Sequence, residues 1–265
     1  MKAYDFSYGD NKKLSDFGFI ICSFDDKGLD TVSNGAVISF NTVSTLNGAK
    51  HELTSCTYED CLETTIQICK NPCVDGNMEI NQTTFRELTK WLCRKKFLKF
   101  KPISKEYIDL YHEAVINVSR IEIDGKLVGL ELEIRTNRPF SLKEPRIINI
   151  NNTEQDGKHS INDISHEEGY IYPHIEIVIN QDGNLKIHNA IENRDTYIAN
   201  CKSGEIITMD YPVISSSDSS HDIQNDFNWN FFRIANTFEN GRNDLTISLP
   251  CSIKIEYSPI VKVGL

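Results

Sequence analysis

Four cysteines, Cys56, Cys61, Cys69 and Cys73, fall within 18 residues of one another, with His51 just upstream. Thiolates and imidazoles are zinc ligands, and a zinc site ordinarily supplies them as two close pairs, each two to four residues apart. The spacings here are Cys69-x3-Cys73 and Cys56-x4-Cys61. Cys61 and Cys69 read as two positions of one strand, which spreads their sulfurs too far to share an ion. Cys22, Cys93, Cys201 and Cys251 are scattered. The cysteines therefore read as reduced and mostly buried thiols, and no metal or cofactor is expected.

The other residues with chemistry to offer are as dispersed. The seven histidines include no H-E-x-x-H, and no G-x-S-x-G nucleophile turn or glycine-rich phosphate loop occurs. His221-Asp222 with Asp218 and Asp226 has the donors for a cation, but a Ser/Asp-rich stretch at 215–222 reads first as a solvated loop. Carboxylate pairs of the glycosidase kind could come from Glu131, Glu133 or Glu167-Glu168. Alternate positions such as 131 and 133 instead describe the wet face of a strand. Phe227, Trp229, Phe231 and Phe232 gather in one short segment, where Trp229 could stack on a sugar while its neighbours join the core. Arg94–Lys101 interleaves five bases with three apolar residues. That pattern fits an edge strand with lysines on its wet face better than a nucleic-acid patch. No catalytic residue is assigned.

Bulk properties narrow the class. The 265 residues suit two medium domains, and 39% hydrophobic with 25% charged residues is ordinary for a soluble protein. The net charge of −10 argues against nucleic acid as the main ligand. That charge is uneven. Up to Lys143 there are 20 acidic and 19 basic residues, a net −1, and from Glu144 there are 18 and 9, a net −9. A boundary is expected there, giving domains 1–143 and 144–265, with the last strands free to pack back on the first domain. No apolar segment behind Met1 reads as a signal peptide, so synthesis and folding in a cytoplasm are expected. No apolar run is long enough for a transmembrane helix.

The elements that must position these residues are almost all strands. Phe17–Phe24, Ala36–Phe40 and Cys61–Cys69 read as strands, with a turn at Asp25–Gly28. In the third, Leu62, Thr64, Ile66 and Ile68 share a face, and Asn71-Pro72 ends it. Thr83–Lys96 is the one confident helix. A Thr84/Glu87 capping box starts it, Phe85, Leu88, Trp91 and Leu92 form its stripe, and Lys90, Arg94, Lys95 and Lys96 favour its C-terminal end. Tyr111–Arg135 is a hairpin turned by Asp124-Gly125, with Leu130, Leu132 and Ile134 on one face and Glu131, Glu133 and Arg135 on the other. Ile147–Asn152 reads as a strand and Thr153–Gly169 as a linker or long loop. Ile175–Ile179 and Leu185–Asn189 flank a turn at Asn180–Asn184. Tyr197–Asn200, Ile206–Asp210, Pro212–Ser215, Leu245–Leu249 and Ser252–Tyr257 complete a second sandwich. The fold class is mainly β: a β-sandwich-type domain with one helix, then a second sandwich.

The order of several segments resembles the distal tail protein family of long-tailed phages and related phage-tail-like particles. They are Phe6–Asp10, Ser15–Ile21, the helix Phe85–Leu92, the hairpin ending in Arg138-Pro139-Phe140, Asn243–Leu249 and Ser252–Tyr257. Tyr172-Pro173, Ile187-His188-Asn189, Gly204-Glu205-Ile206 and Asn225-Asp226-Phe227 are similar to that family's galectin-like domain. The resemblance implies a structural baseplate hub in the virion tail. It would be a homohexameric ring at the tip of the tail tube, joined to the tail tube protein, the tail-associated hub protein and a receptor-binding protein. DNA would only pass through the lumen, and neither a membrane nor an enzymatic activity is implied. A galectin-type sugar site needs a cluster of His, Asn, Arg, Trp and Glu on adjacent strands; His188-Asn189 and Trp229 are present and the remaining pattern is not. For ring assembly the expected surface is Lys95, Lys96, Lys99 and Lys101 with the Asp124-Gly125 turn. The alternative is a carbohydrate-binding module acting through Trp229 on host cell-wall polysaccharide, and a third is a wall-degrading enzyme with a carboxylate pair.

Overall fold

A computed structural model describes residues 3–9, 11–24, 37–45, 48, 50–74, 76–105, 108–237 and 239–262. Within these the chain forms two compact units, one running to Leu142 and including Lys262, the other Lys143–Val261.

The first unit contains β1 (Asp5–Tyr8), β2 (Lys12–Lys13), a 3-10 turn (Leu14–Phe17), β3 (Phe19–Cys22), β4 (Ile38–Thr45), β5 (Lys50–Tyr58) and β6 (Glu63–Lys70). Helix α1 (Gln82–Leu92), β7 (Leu98–Ile103), β8 (Leu110–Ile123), β9 (Lys126–Thr136) and β10 (Ser141–Lys143) follow. One sheet carries the order β2-β1-β7-β8-β9-β6-β3, with β10 also pairing β8. Leu62, Thr64, Ile66 and Ile68 are buried, as are Leu130, Leu132 and Ile134 across the pairing of β6 with β9. The Asp124-Gly125 turn has positive φ at both residues, 52° and 73°, which matches the right-handed twist of the hairpin it closes.

Two expectations for this unit need correction. Cys61 precedes β6 rather than sharing a strand with Cys69. β7 is not an edge strand, because it pairs with β1 on one side and β8 on the other. The expected turn Asp25–Gly28 and the residue Ala36 lie outside the described residues.

The helix also starts and stops differently from the expectation. Asn81 is its N-cap, its side-chain oxygen accepting from the Thr84 backbone N–H at 2.8 Å, so Thr84 sits inside the first turn. The helix ends at Leu92 because the buried stripe of Leu88, Trp91 and Leu92 ends there. Only Lys90 falls in the last turn, while Arg94 donates to the carbonyl of Trp91 from beyond it. Trp91 fixes the helix in place: its indole donates to the Tyr8 carbonyl at 3.0 Å and its ring stacks on Phe6 and Phe17.

The second unit is a sandwich of β11 (Arg146–Asn152), β12 (Gly157–Asn162), β13 (Gly169–Ile171), β14 (His174–Ile179), β15 (Gly183–Asn189), β16 (Arg194–Cys201), β17 (Ile206–Asp210) and β18 (Val213–Ser216). The short helix α2 (Ile223–Asp226), β19 (Ile234–Asn236), β20 (Arg242–Ile247) and β21 (Cys251–Tyr257) complete it. One sheet has the order β11-β21-β14-β17-β18, the facing sheet β12-β20-β15-β16, and β13 pairs β19 alone. Ile175, Ile177, Ile253 and Ile255 of the first sheet share one core with Leu185, Ile187, Leu245 and Ile247 of the second.

The expected loop at Thr153–Gly169 is in fact partly strand. β12 occupies an edge and points only Gly157 and Ile161 inward, so its sequence looks polar. The turn Asn180–Asn184 and the Leu249-Pro250 corner each carry the chain from one sheet to the other. Buried polar groups hold the corners. Asn152 donates to the carbonyls of Ile247 and Leu249, and Gly157 leaves room for it, since a Cβ there would lie 1.8 Å from the Asn152 oxygen.

In the first unit, His112 is buried, with Nε2 3.1 Å from the Ser141 hydroxyl and Nδ1 unpartnered. Burial holds this imidazole neutral, pushing its pKa down to about 4. The unfolded chain takes up this proton near the ordinary histidine value of about 6.5, before the folded one does. Stability is therefore full above that pH and falls as the pH drops toward about 4. Chemical denaturation of the wild type should lose on the order of 3 kcal/mol across that window, and His112→Gln should flatten the slope above pH 5. A variant retaining the full slope would assign it to other groups.

Candidate functional site

Among the described residues no three His, Cys, Asp or Glu side chains are arranged to hold a metal ion. Cys56 lies exposed on β5, Cys61 and Cys73 are exposed outside the strands, and Cys69 is buried on β6. Glu131 and Glu133 are on the outer face of β9, where Glu131 accepts from Gln67 and Glu133 from Asn117. Glu167-Glu168 precedes β13.

The basic residues and the hairpin turn do not form one patch. Lys95 and Lys96 are exposed in the connection from α1 to β7. Lys99 and Lys101 stand half-buried on the outer face of β7, with Lys99 Nζ 4.5 Å above the Tyr111 ring. Lys99 is opposite Glu113, and the Asp124-Gly125 turn lies ten residues of strand further along β8, roughly 30 Å away. A cavity of about 120 Å³ opens beside the basic connection, lined by Tyr8, Gly9, Trp91, Arg94, Lys96 and Leu98.

A more distinctive surface lies on β4 and β5, where the sequence offered the strand Ala36–Phe40 and the weighed His51 and Cys56 but no surface role. Among the described residues the two strands pair only with each other. Ile38 faces Tyr58, Phe40 faces Cys56, and a bulge brings Thr42 opposite Leu53, so period-two alternation gathers the apolar residues on one face. Ser39, Asn41, Ser55 and Thr57 take the other, together with the exposed Val43. Among the described residues the apolar face is left exposed: Phe40 is 63% exposed and Leu53 56%. An isolated two-stranded ribbon is marginal in water, and exposed apolar patches are characteristic of interaction surfaces.

In the second unit His221 does not join Asp218 and Asp222 around a cation. Its side chain and that of Glu205 are almost wholly buried, with His221 Nδ1 2.5 Å from Glu205 Oε1. His221 Nε2 is 3.3 Å from Asp226 Oδ2, without the alignment of a hydrogen bond. Burial alone would raise the pKa of Glu205, but donors on Ser216, His221 and the Lys202 backbone reverse this and lower it. Asp218 faces outward, accepting from Ser220 and Lys202, which pull its pKa down to about 2. The cluster is a clamp tying β17, the 215–222 loop and α2 together. Glu205 carried no role in the sequence reading, and a lone acid after a turn glycine gives no signal of burial.

Trp229 is 55% exposed, with its indole N–H held by the Gln224 carbonyl. Phe227, Phe231 and Phe232 are buried beside it. Tyr170, Tyr172 and Tyr211, which carried no site assignment, join the group: Tyr172 stacks on Tyr211 at 4.1 Å, and Tyr211 meets Phe231 edge-on. The alternation Tyr170-x-Tyr172 on a strand was the available clue.

These two units have counterparts in known proteins. Residues 1–138 match the family described as phage tail protein N-terminal domain, and residues 140–257 that described as phage tail C-terminal domain. The chain belongs to this phage tail protein family. Comparison with curated proteins finds no match. Among solved structures, the tail protein is similar to the Dit protein (gp 19.1) of phage SPP1, described as a paradigm of the hub adsorption apparatus in phages infecting Gram-positive bacteria. The TM-score is 0.66 at 10% identity, covering 97% of this chain and 99% of that one. The tail protein therefore has the distal-tail-protein fold, and its second unit is the galectin-like sandwich. No helix among the described residues is long and apolar enough to cross a membrane.

Removing the buried Glu205 carboxylate leaves the donors of Ser216, His221 and Lys202 without their acceptor. Glu205→Gln should lower the tail protein's stability by about 3 kcal/mol in chemical denaturation. The loss should shrink as the pH falls through the ordinary carboxylate range, because a depressed carboxylate stabilises only while ionised. A loss independent of pH would contradict the ionised clamp.

Proposed function

We propose that the tail protein is a baseplate hub adaptor. Copies close into a hexameric ring at the tip of the tail tube, and the ring joins the tube to the tail-associated hub and host-binding proteins. The observation that carries this reading is the apolar face of the β4–β5 ribbon, on a chain whose fold matches a hub protein along nearly all of its length. A heterologous contact that repeats around an axis generates a closed ring, and a protruding ribbon that docks on the next copy supplies such a contact. Its role is structural: the polar clusters bind one another rather than converge on a substrate-sized site.

Light scattering behind size exclusion, with negative-stain images of the peak, should show six-fold rings. Phe40→Asp combined with Leu53→Asp should leave the protein folded, since neither residue belongs to a core, and should abolish the ring. A double variant that assembles normally would remove the ribbon from the interface. A monomer at high concentration, even with tail partners supplied, would overturn the ring itself.

The connection Lys95-Lys96 beside the Arg94-lined cavity is a second contact in this proposal, suited to an acidic surface of a neighbouring tail component. Charge reversal at both lysines should weaken incorporation into tails and make it more salt-sensitive. Unchanged incorporation would free that surface of any role.

A further inference from the structure

We infer that the galectin-like unit binds a carbohydrate on a preformed aromatic platform built from Tyr170, Tyr172, Tyr211 and Trp229. The inference is independent of ring closure, since one copy carries the whole site.

The rings come from three separate parts of the unit: β13 and the residue after it, the β17–β18 turn, and the segment following α2. They are nevertheless in continuous contact. Tyr170 meets Tyr172 edge-on at 5.5 Å, Tyr172 stacks on Tyr211 with planes 8° apart, and Tyr211 rests against Phe231 at 5.3 Å. Trp229 leans on the same Phe231 at 6.3 Å and on Phe227 at 5.7 Å. The buried phenylalanines anchor the exposed rings. Tyr170, Tyr211 and Trp229 remain 55%, 54% and 55% exposed.

Three half-exposed rings on one surface are costly to leave in water unless something covers them. The immediate surroundings favour a sugar as the occupant. Arg233 lies 3.9 Å over the Tyr170 ring and is held by Glu192 through Nε at 2.8 Å, so a guanidinium and a carboxylate stand at the platform's edge. Paired planar donors and acceptors beside an aromatic face are complementary to vicinal hydroxyls above the apolar face of a pyranose. The rings are also immobilised before any ligand arrives. The Trp229 indole N–H is engaged by Gln224, and α2, which carries Gln224, is tied to β16 by Asn200 donating to Asp226 at 3.0 Å. Little side-chain entropy is left to lose on binding, the saving that preorganisation gives a weak, shallow site.

The chain contains two tryptophans, Trp91 at 6% exposure and Trp229 at 55%, so its tryptophan emission reports mainly on the platform. Titration with chitotetraose, cellotetraose, maltotetraose and a galactose tetrasaccharide should give a saturable blue shift with at least one of them. Tyr211→Ala should weaken that binding about ten-fold or more, the scale of one lost ring contact with its buried area. Calorimetry should show loss of binding in Trp229→Ala and its retention in Trp229→Phe, with melting temperatures close to wild type in all three. No saturable response to any of these sugars at millimolar concentration would overturn the assignment, as would undiminished binding in both alanine variants. If no sugar binds and the two alanine variants instead fail to enter assembled tails, the platform is a protein interface and the carbohydrate reading falls.

Discussion

The register of β6, β8 and β9 is the constraint on which the first unit rests. Ile66 faces Leu132, Ile68 faces Leu130, and Ile116 faces Ile134, so six branched side chains point into one core. Each contributes roughly 1.5–3 kcal/mol by leaving water. A slip of one residue would exchange them for Glu131, Glu133 and Arg135, turning the gain into the cost of burying charge. The positive-φ turn at Asp124-Gly125 sets that register locally, and the hydrophobic alternation enforces it globally. With the strands so fixed, the Phe6, Phe17 and Trp91 stack has a surface to build on, and the helix follows. The outer-face ion pairs, Arg135 with Glu63 and Arg138 with Glu113, are exposed and add little by comparison.

The same alternation gives the β4–β5 ribbon an exposed apolar face, the feature on which the proposed ring contact rests. Its pattern of Ile38 and Phe40 against Leu53, Cys56 and Tyr58 is that of a half-buried strand pair, yet among the described residues Phe40 and Leu53 stay exposed. The opposite face, with Ser39, Asn41, Ser55 and Thr57 around Val43, is the more polar of the two. In the proposed ring, a neighbouring copy would bury the apolar face at fixed geometry.

Much of this was legible in the chain. The strand faces at 62–68 and 130–134, the 124–125 turn, the helix stripe and the strand at 206–210 follow from periodicity and turn chemistry alone. What was not legible depended on partners distant in sequence. Asn81 outcompetes Thr84 as the cap because the helix begins one turn earlier than its apolar stripe suggests. Lys99 and Lys101 mimic an edge strand, although β7 is interior and only one of its faces is wet. β12 looks like a loop because an edge strand needs just two inward residues. The His221–Glu205 pair is invisible because the two residues are brought together by a β-turn and a loop whose side chains bond only in three dimensions. The aromatic platform was half visible: Trp229 announces itself, whereas Tyr170, Tyr172 and Tyr211 come from elements far apart in the chain.

The second unit carries nearly all the net negative charge, yet its interior uses polar groups to set geometry rather than to react. Asn243 is fully buried and bonds Asn189, Ala235 and Gly241, and Asn152 spans the corner between β20 and β21. Such groups are tolerated inside because their donors are satisfied, and each satisfied amide fixes a loop that an apolar side chain would leave free to slide. The His221 clamp extends that logic to the surface. Asn200 donates to Asp226 of α2, and α2 carries the carbonyl that holds Trp229, so hydrogen bonds behind the ring set how it is presented. A sandwich whose loops were merely solvated would have no reason to bury a carboxylate and an imidazole beneath them. The expense of that burial is understandable if the rings above must keep one arrangement.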